Sequence, residues 1–236
     1  MKVIFGIVGL VVLGLVVFIA WTPSGAPKDI DGLTSDKETG FVPDEGKKAV
    51  VADGSYTVIL DQSSVHWAGK KPLIEGYINS GSLALTDGNI ESIDGTANGM
   101  FGIDMNSLSV SNTPTKPGKE SMLEGHLKGE GWFDVENYPN ASFEIVKATP
   151  SENVATDFTY EIQGELTMKG QTHEIVFPAT VYQDESGKLH ALADFEFDRT
   201  KWGITAGSGS FFDDLADNAI SDMVALSFDL VAEKQQ

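Results

Sequence analysis

Two apolar patterns divide the chain. From Val3 to Trp21 apolar residues follow one another without a charged or strongly polar break, and from Gly54 onward apolar and polar positions alternate in short runs bounded by turn residues. The first run, about 19 residues or roughly 28 Å of helix, matches the hydrocarbon thickness of a bilayer and predicts a transmembrane helix within residues 1–21. A secretory signal peptide is the competing reading. Its apolar part is shorter, and its cleavage point here would be Ser24-Gly-Ala26, with Pro27 directly behind. Residues 22–53, poor in large apolar side chains and carrying Pro23, Pro27 and Pro43, read as a flexible tether. Lys2 precedes the helix and Lys28, Asp29 and Asp31 follow it. That places the N-terminus in the cytoplasm and the remaining chain outside.

The alternating region, 54–233, predicts eight strands: Tyr56 to Trp67, Leu73 to Leu85, Ile90 to Ile103, Ser142 to Thr149, Phe158 to Met168, His173 to Gln183, Leu189 to Asp198 and Met223 to Ala232. Thr86-Asp-Gly-Asn89 reads as the hairpin turn between the second and third strands. Glycines inside those long strands, Gly76 and Gly81 then Gly95, Gly99 and Gly102, read as the bulges and bends a curved sheet needs. Leu108 to Pro117 reads as a polar loop, and Gly118 to Leu127 as a single short helix. Gly129 and Gly131 end that helix, and Trp132 and Phe133 then need a core or a cavity to sit in. Beyond Tyr138-Pro139, Ala141, Phe143 and Ile145 alternate with Ser142, Glu144 and Val146. Eight such strands suffice to close an antiparallel barrel. The expected fold is therefore all-β: a closed eight-stranded antiparallel barrel with one short helix, preceded by the transmembrane helix.

Composition narrows the chemistry. The 236 residues include 35 Asp and Glu against 16 Lys and Arg, a formal net charge of −19. This excludes nucleic acid as a partner and a basic patch for anionic head groups. With no cysteine, disulfides, thiol catalysis, Cys-ligated zinc and an N-terminal lipidated Cys are excluded. The four histidines, His66, His126, His173 and His190, are not spaced as metal ligands on a common element, so no metal or other cofactor is expected. Gly207-Ser-Gly-Ser210 has its second glycine one place early for a nucleophile elbow and lies in a loop. Arg199, the one arginine, has two readings. It forms a structural ion pair with Asp198 or Asp222, or it clamps a phosphate or carboxylate of a ligand. The residues leave the role of the many aromatics open, as filling or as the walls of a tunnel.

Four separated motifs carry a resemblance. They are Tyr56 with Ser63, Ser64, Val65 and Trp67; His126-Leu-Lys with Trp132-Phe-Asp and Tyr138-Pro; Gly164-Glu-Leu-Thr-Met-Lys-Gly-Gln-Thr-His173; and Asp198-Arg-Thr-Lys-Trp-Gly-Ile204. In this order, over about residues 54 to 232, they resemble the YceI-like family of lipid-binding, lipocalin-like barrels. The resemblance implies a tunnel holding an isoprenoid or similar long-chain lipid, with no catalytic residue. Trp132, Phe133, Phe143, Phe101 and Phe177 would be its apolar contacts, and His126 and Arg199 its polar ones. The helix before Trp132 would act as a lid or plug. Expected partners are that lipid, a membrane reached through the N-terminal helix, and optionally a second copy of the chain. The expected location is a bacterial cytoplasmic membrane with the barrel on the periplasmic side, or the periplasm if the helix is cleaved. Two other functions stay open: an enzyme acting on a lipid-linked or quinone substrate through His126 or Glu144, and a filled barrel that binds another protein through an exposed apolar patch.

Overall fold

The period-two alternation becomes the two faces of a sheet rolled onto itself. A computed structural model describes residues 51–151 and 159–236. The expected membrane helix, nearly all of the tether and Phe158 lie outside the described residues. Among the described residues no helix is long and apolar enough to cross a membrane.

The elements are β1 (Gly54–Val58), β2 (Ser64–Lys70), β3 (Ile78–Ile93), β4 (Thr96–Asn112), α1 (Glu120–Lys128), β5 (Asn140–Pro150), β6 (Tyr160–Met168), β7 (Gln171–Gln183), β8 (Leu189–Asp198) and β9 (Met223–Lys234). They hydrogen-bond in the order β1-β3-β2-β9-β8-β7-β6-β5-β4, and a β3–β4 pairing closes the ring. Both β1 and β2 lie between β3 and β9, one beyond the other along the same slot. They are one interrupted strand, so the closed barrel has eight staves, all pairings antiparallel.

The interruption corrects the first predicted strand. A single 3-10 turn at Leu60–Gln62 breaks it, and Leu60, an apolar residue inside that predicted strand, is exposed. Ser63 repairs the ladder there. Its hydroxyl accepts from the Val231 amide at 3.0 Å and donates to the Ile59 carbonyl at 2.8 Å, while the Ile59 amide reaches the Val231 carbonyl at 2.7 Å. Ser63→Ala is expected to cost about 1–2 kcal/mol in urea unfolding, because the half-buried Val231 amide loses its acceptor. An unchanged midpoint would show that water takes the hydroxyl's place.

The second correction concerns a turn. Asp87-Gly88 does not end a strand; β3 runs through it to Ile93, and Asp94-Gly95 makes the hairpin, with φ of 51° and 76°. Both dipeptides suit a two-residue turn. Packing selects between them: a Cβ on Gly88 would lie 2.6 Å from a methyl of Val58, so this glycine makes room for the Val58 side chain of the neighbouring strand β1. The third correction is that β4 continues to Asn112 where a loop from Leu108 was expected. Near its upper part β4 bulges. Ala84 pairs with Asp104 but Ser82 with Ser109, leaving one residue on β3 opposite four on β4. Ser107 Oγ holds the excursion by accepting from the Ala84 amide at 2.7 Å, and Met105 and Leu108 are both buried. The expected helix is present, shifted to Glu120–Lys128.

One end of the barrel, here the upper end, carries the β2–β3, β4–β5, β6–β7 and β8–β9 connections, and so α1. The lower end is stitched by residues just outside β1. The Val51 amide donates to the Tyr160 hydroxyl at 3.0 Å, the Tyr56 hydroxyl donates to the Ala52 carbonyl at 2.7 Å, and Ser92 Oγ donates to the Val51 carbonyl at 3.2 Å. Burial raises the pKa of both tyrosines, keeping them as neutral hydrogen-bonding groups at neutral pH. Val51 thus packs into the lower end of the barrel.

Candidate functional site

Inward positions of all eight staves, and the inner face of α1, leave the barrel incompletely filled. The upper cavity has a volume of about 130 Å³ and reaches from Leu166 and Ala141 up to Tyr77, Lys70 and Ile220 at the loop end. The lower one, about 100 Å³, is enclosed by side chains that are all apolar. Val65, Ile103, Leu166 and Leu226 belong to both walls. The two voids therefore meet end to end at a waist made by β2, β4, β6 and β9.

The lower chamber is an aromatic belt. Phe101 stacks on Phe143 at 6.4 Å between centroids, Phe143 lies 5.7 Å from Phe177, and Phe177 stacks on Phe195 at 4.1 Å with Phe228 edge-on at 5.7 Å. Gly164 is what lets the Phe143 ring cross β6, since a Cβ there would run into that ring. In the upper chamber Trp67 donates Nε1 to the Ser109 carbonyl at 3.1 Å, which turns its apolar face to the void. Trp132 and Phe133 enter from the chain after α1, where Phe133 N bonds the Leu127 carbonyl and Val135 N the Lys128 carbonyl. Leu123 and Leu127 supply the inner face of α1.

Of the seven residues expected to meet a ligand, six line the voids: Trp132, Phe133 and Arg199 the upper, Phe101, Phe143 and Phe177 the lower. His126 lines neither; it is exposed. It follows Leu123 and precedes Leu127, and about 100° per residue turns it off the inner face of the helix. Glu144, the other acid–base candidate, is exposed on the outer face of β5. His173 stands edge-on to Trp202, and His190 pairs with Asp184 at 3.1 Å and stacks on Tyr182. Hydrogen bonds from Ser186 and His190 hold the Asp184 carboxyl well below the usual carboxylate range. No group of three His, Cys, Asp or Glu among the described residues is placed to hold a metal.

Arg199 is 2% exposed. Its Nε donates to the Ser221 carbonyl at 3.0 Å, one terminal nitrogen to the Ile204 carbonyl and the other to the Ile220 carbonyl at 3.4 Å. Trp132 covers its guanidinium at 5.2 Å. Asp222 Oδ1 is 3.7 Å away, beyond hydrogen-bond reach, so the pair is bound by charge alone. Burial pushes the Asp222 carboxyl up, but hydrogen bonds from Ser208 and Ser210 and the charge of Arg199 outweigh it and hold the group below its ordinary value. Of the two readings of Arg199, the ion pair with Asp222 is the one the geometry displays. Asp198 instead caps the following turn, accepting from Thr200 N at 2.9 Å and Thr200 Oγ1 at 2.6 Å.

Sequence reasoning missed Met105, Leu108 and the waist residues. The inward register of β9, with Leu226 on the face of Phe228 and Leu230, was the available signal for Leu226. Nothing local signals Met105 and Leu108, because the β4 excursion breaks the alternation.

A model of the YceI-like domain matches residues 56–232. The crystal structure of BcnA from Burkholderia cenocepacia has a TM-score of 0.58 at 22% identity, covering 75% of this chain and 99% of that one. A polyisoprenoid-binding domain from Saccharophagus degradans, implicated in plant cell wall breakdown, has a TM-score of 0.54 at 16% identity, covering 76% and 98%. At these identities the likeness is one of fold. No curated protein matches the sequence.

Proposed function

Because the chain belongs to the YceI-like family, we propose that it is a binding protein that holds an isoprenoid, or a similar long-chain amphipathic lipid, inside its barrel. The observation that carries this reading is the pair of apolar voids joined at a shared waist. A tightly filled interior, the signature of a purely protein-binding barrel, is not what these residues build. Each methylene moved from water into such walls contributes roughly 0.8 kcal/mol, so a long tail binds with few polar contacts. The Saccharophagus domain of the same fold is described as polyisoprenoid-binding, which favours an isoprenoid tail. Trp132 and Phe133 would contact the tail above the waist, and Phe101, Phe143 and Phe177 below it. The two acid–base candidates, His126 and Glu144, face away from the voids, which favours binding over catalysis.

The full-length protein, purified in mild detergent and extracted with organic solvent, is expected to release a stoichiometric prenyl lipid identifiable by mass spectrometry. An empty barrel with no affinity for prenyl chains would defeat the proposal.

Membrane attachment through residues 1–21, with the barrel outside the cytoplasm, is a second part of the proposal and rests on the apolar run and Lys2. A phosphatase fused after Gln236 is expected to be active only if exported, and the fusion to stay with membranes after a carbonate wash. Inactivity of the fusion, or its release by the wash, would remove this part alone.

A further inference from the structure

We propose that the upper end of the barrel is a membrane-docking surface, whose exposed Leu73, Met122, Phe211 and Phe212 side chains enter the head-group boundary of a phospholipid bilayer. The inference rests on the lipid-binding reading above and deepens it, by supplying the route through which a tail reaches the tunnel. These side chains come from separate parts of one end: Leu73 from the β2–β3 connection, Met122 from α1, and Phe211 and Phe212 from the β8–β9 connection. Leu73 is 66% exposed and Phe211 57%, and among the described residues the lower end shows one comparable side chain, Ile93. The backbone fixes the phenylalanines in this place. Their amides both donate to the Ser208 carbonyl, at 3.2 and 3.1 Å, and Ser208 itself is fully buried. Ser210 Oγ donates to Asp222 Oδ2 at 2.6 Å, and Lys71 Nζ donates to Asn218 Oδ1 at 3.3 Å, which ties the Leu73 turn to the same loop. Exposed apolar side chains gathered at one end, on a fastened backbone, mark a contact surface.

Position, charge and chain length each name the bilayer as what covers it. The upper void reaches the loop end at Lys70, Tyr77 and Ile220, beside these connections, so docking sets the tunnel against the bilayer. A tail that crossed water instead would expose each methylene at a cost of roughly 0.8 kcal/mol. Lysines also gather here: among the described residues only Lys147, Lys188 and Lys234 lie away from this end, in a chain whose net charge is −19. Lysines around apolar tips lay their stems on apolar surface and turn their ammonium groups to phosphates. Asp213 and Asp214, exposed beside the phenylalanines, keep the rim of mixed sign, which suits zwitterionic heads better than an anionic surface. The preceding chain joins the barrel at Val51, at the lower end. Residues 22–50 extend to at most about 100 Å, more than twice the roughly 43 Å of the 13-residue β7. The upper end therefore reaches the same bilayer that residues 1–21 are proposed to enter.

The chain has no cysteine, so a single introduced one carries a label at a known place. Leu73→Cys, Phe211→Cys and, at the opposite end, Ile93→Cys are each labelled with an environment-sensitive fluorophore in the full-length protein. The protein is reconstituted into phosphatidylcholine vesicles that contain a nitroxide-labelled phosphatidylcholine as quencher. Labels at positions 73 and 211 are expected to be quenched and blue-shifted, and the label at 93 to be unaffected. In a second measurement, Phe211→Ser combined with Phe212→Ser is expected to slow uptake of a fluorescent prenyl analogue from such vesicles by about tenfold. Its affinity for the same analogue in detergent is expected to stay within about twofold, which shows that the barrel is folded and the tunnel intact. Absence of quenching at 73 and 211, quenching at 93 instead, or an unchanged uptake rate would overturn the docking surface while leaving lipid binding standing. Failure of the unsubstituted protein to bind the analogue in detergent would remove the lipid-binding reading. The labels need no ligand, so they decide the surface separately.

Discussion

Ile103→Trp is expected to abolish high-affinity binding of long prenyl chains while sparing short ones. Ile103 is one of the four residues common to both void walls, and an indole there fills the waist between the chambers. A chain barred from the lower chamber loses the burial of about five methylenes, or about 4 kcal/mol, which is about a thousandfold in affinity. A short alcohol such as farnesol, seated above the waist, keeps its contacts. The readout is the ratio of solanesol to farnesol affinity, by displacement of a fluorescent prenyl analogue. Overpacking itself costs about 1–3 kcal/mol of stability, so the thermal midpoint is measured alongside, and Leu226→Trp closes the same waist from β9. Solanesol affinity unchanged in both folded variants would mean that the chain does not pass between the chambers.

The second large effect is on stability. Arg199→Met is expected to cost about 3–5 kcal/mol, because it leaves the partly buried Asp222 carboxylate without its counter-charge. The carbonyls of Ile204, Ile220 and Ser221 lose their donors at the same time. These carbonyls belong to the connection between β8 and β9, so the guanidinium pins that long loop to the barrel's upper rim. Adding Asp222→Asn is expected to recover part of the loss, since it removes the uncompensated charge but not the missing donors. Recovery of none of it would assign the whole cost to the carbonyls. The pair also has a pH signature. Folding holds the Asp222 carboxyl below its ordinary value of 3.8, so its contribution is complete above that pH and fades as the pH falls further through the lowered value. Acid unfolding of the wild type is expected to show this dependence, and Asp222→Asn to flatten it.

The features legible from sequence are those set by neighbours along the chain. Ala141, Phe143 and Ile145 face inward and Glu144 and Val146 outward as the alternation requires. The Lys169-Gly170 turn, with φ of 49° and 70°, sits between the predicted strands ending at Met168 and beginning at His173. The turn after Asp198 is equally local, since the Asp198 carboxylate caps it and Gly203 ends it at φ 71°. The misplaced features depend on a partner strand. Asp87-Gly88 and Asp94-Gly95 are equivalent as dipeptides, and only the pairing with β1, which sets the Val58 side chain against Gly88, settles which one turns. Leu60 fits the apolar face by count, yet the strand breaks at that point and Ser63 carries its hydrogen bonds. The burial of Trp202 depends on partner strands too: it is fully buried, donating Nε1 to the Leu166 carbonyl at 3.0 Å and set edge-on to Phe197.

The sequence by itself determined that this chain is a curved all-β barrel with a short helix before Trp132 and Phe133, and that it lacks the means for thiol or nucleic-acid chemistry. Side-chain alternation, turn dihedrals and formal charge are properties of adjacent residues, so they need no fold to be read. Only the tertiary structure decided which aromatics bound empty space and which, like Trp202, are packed solid. It likewise turned His126 out of the site. A void is defined by side chains from strands far apart in sequence whose volumes fail to meet, and no local pattern records that shortfall.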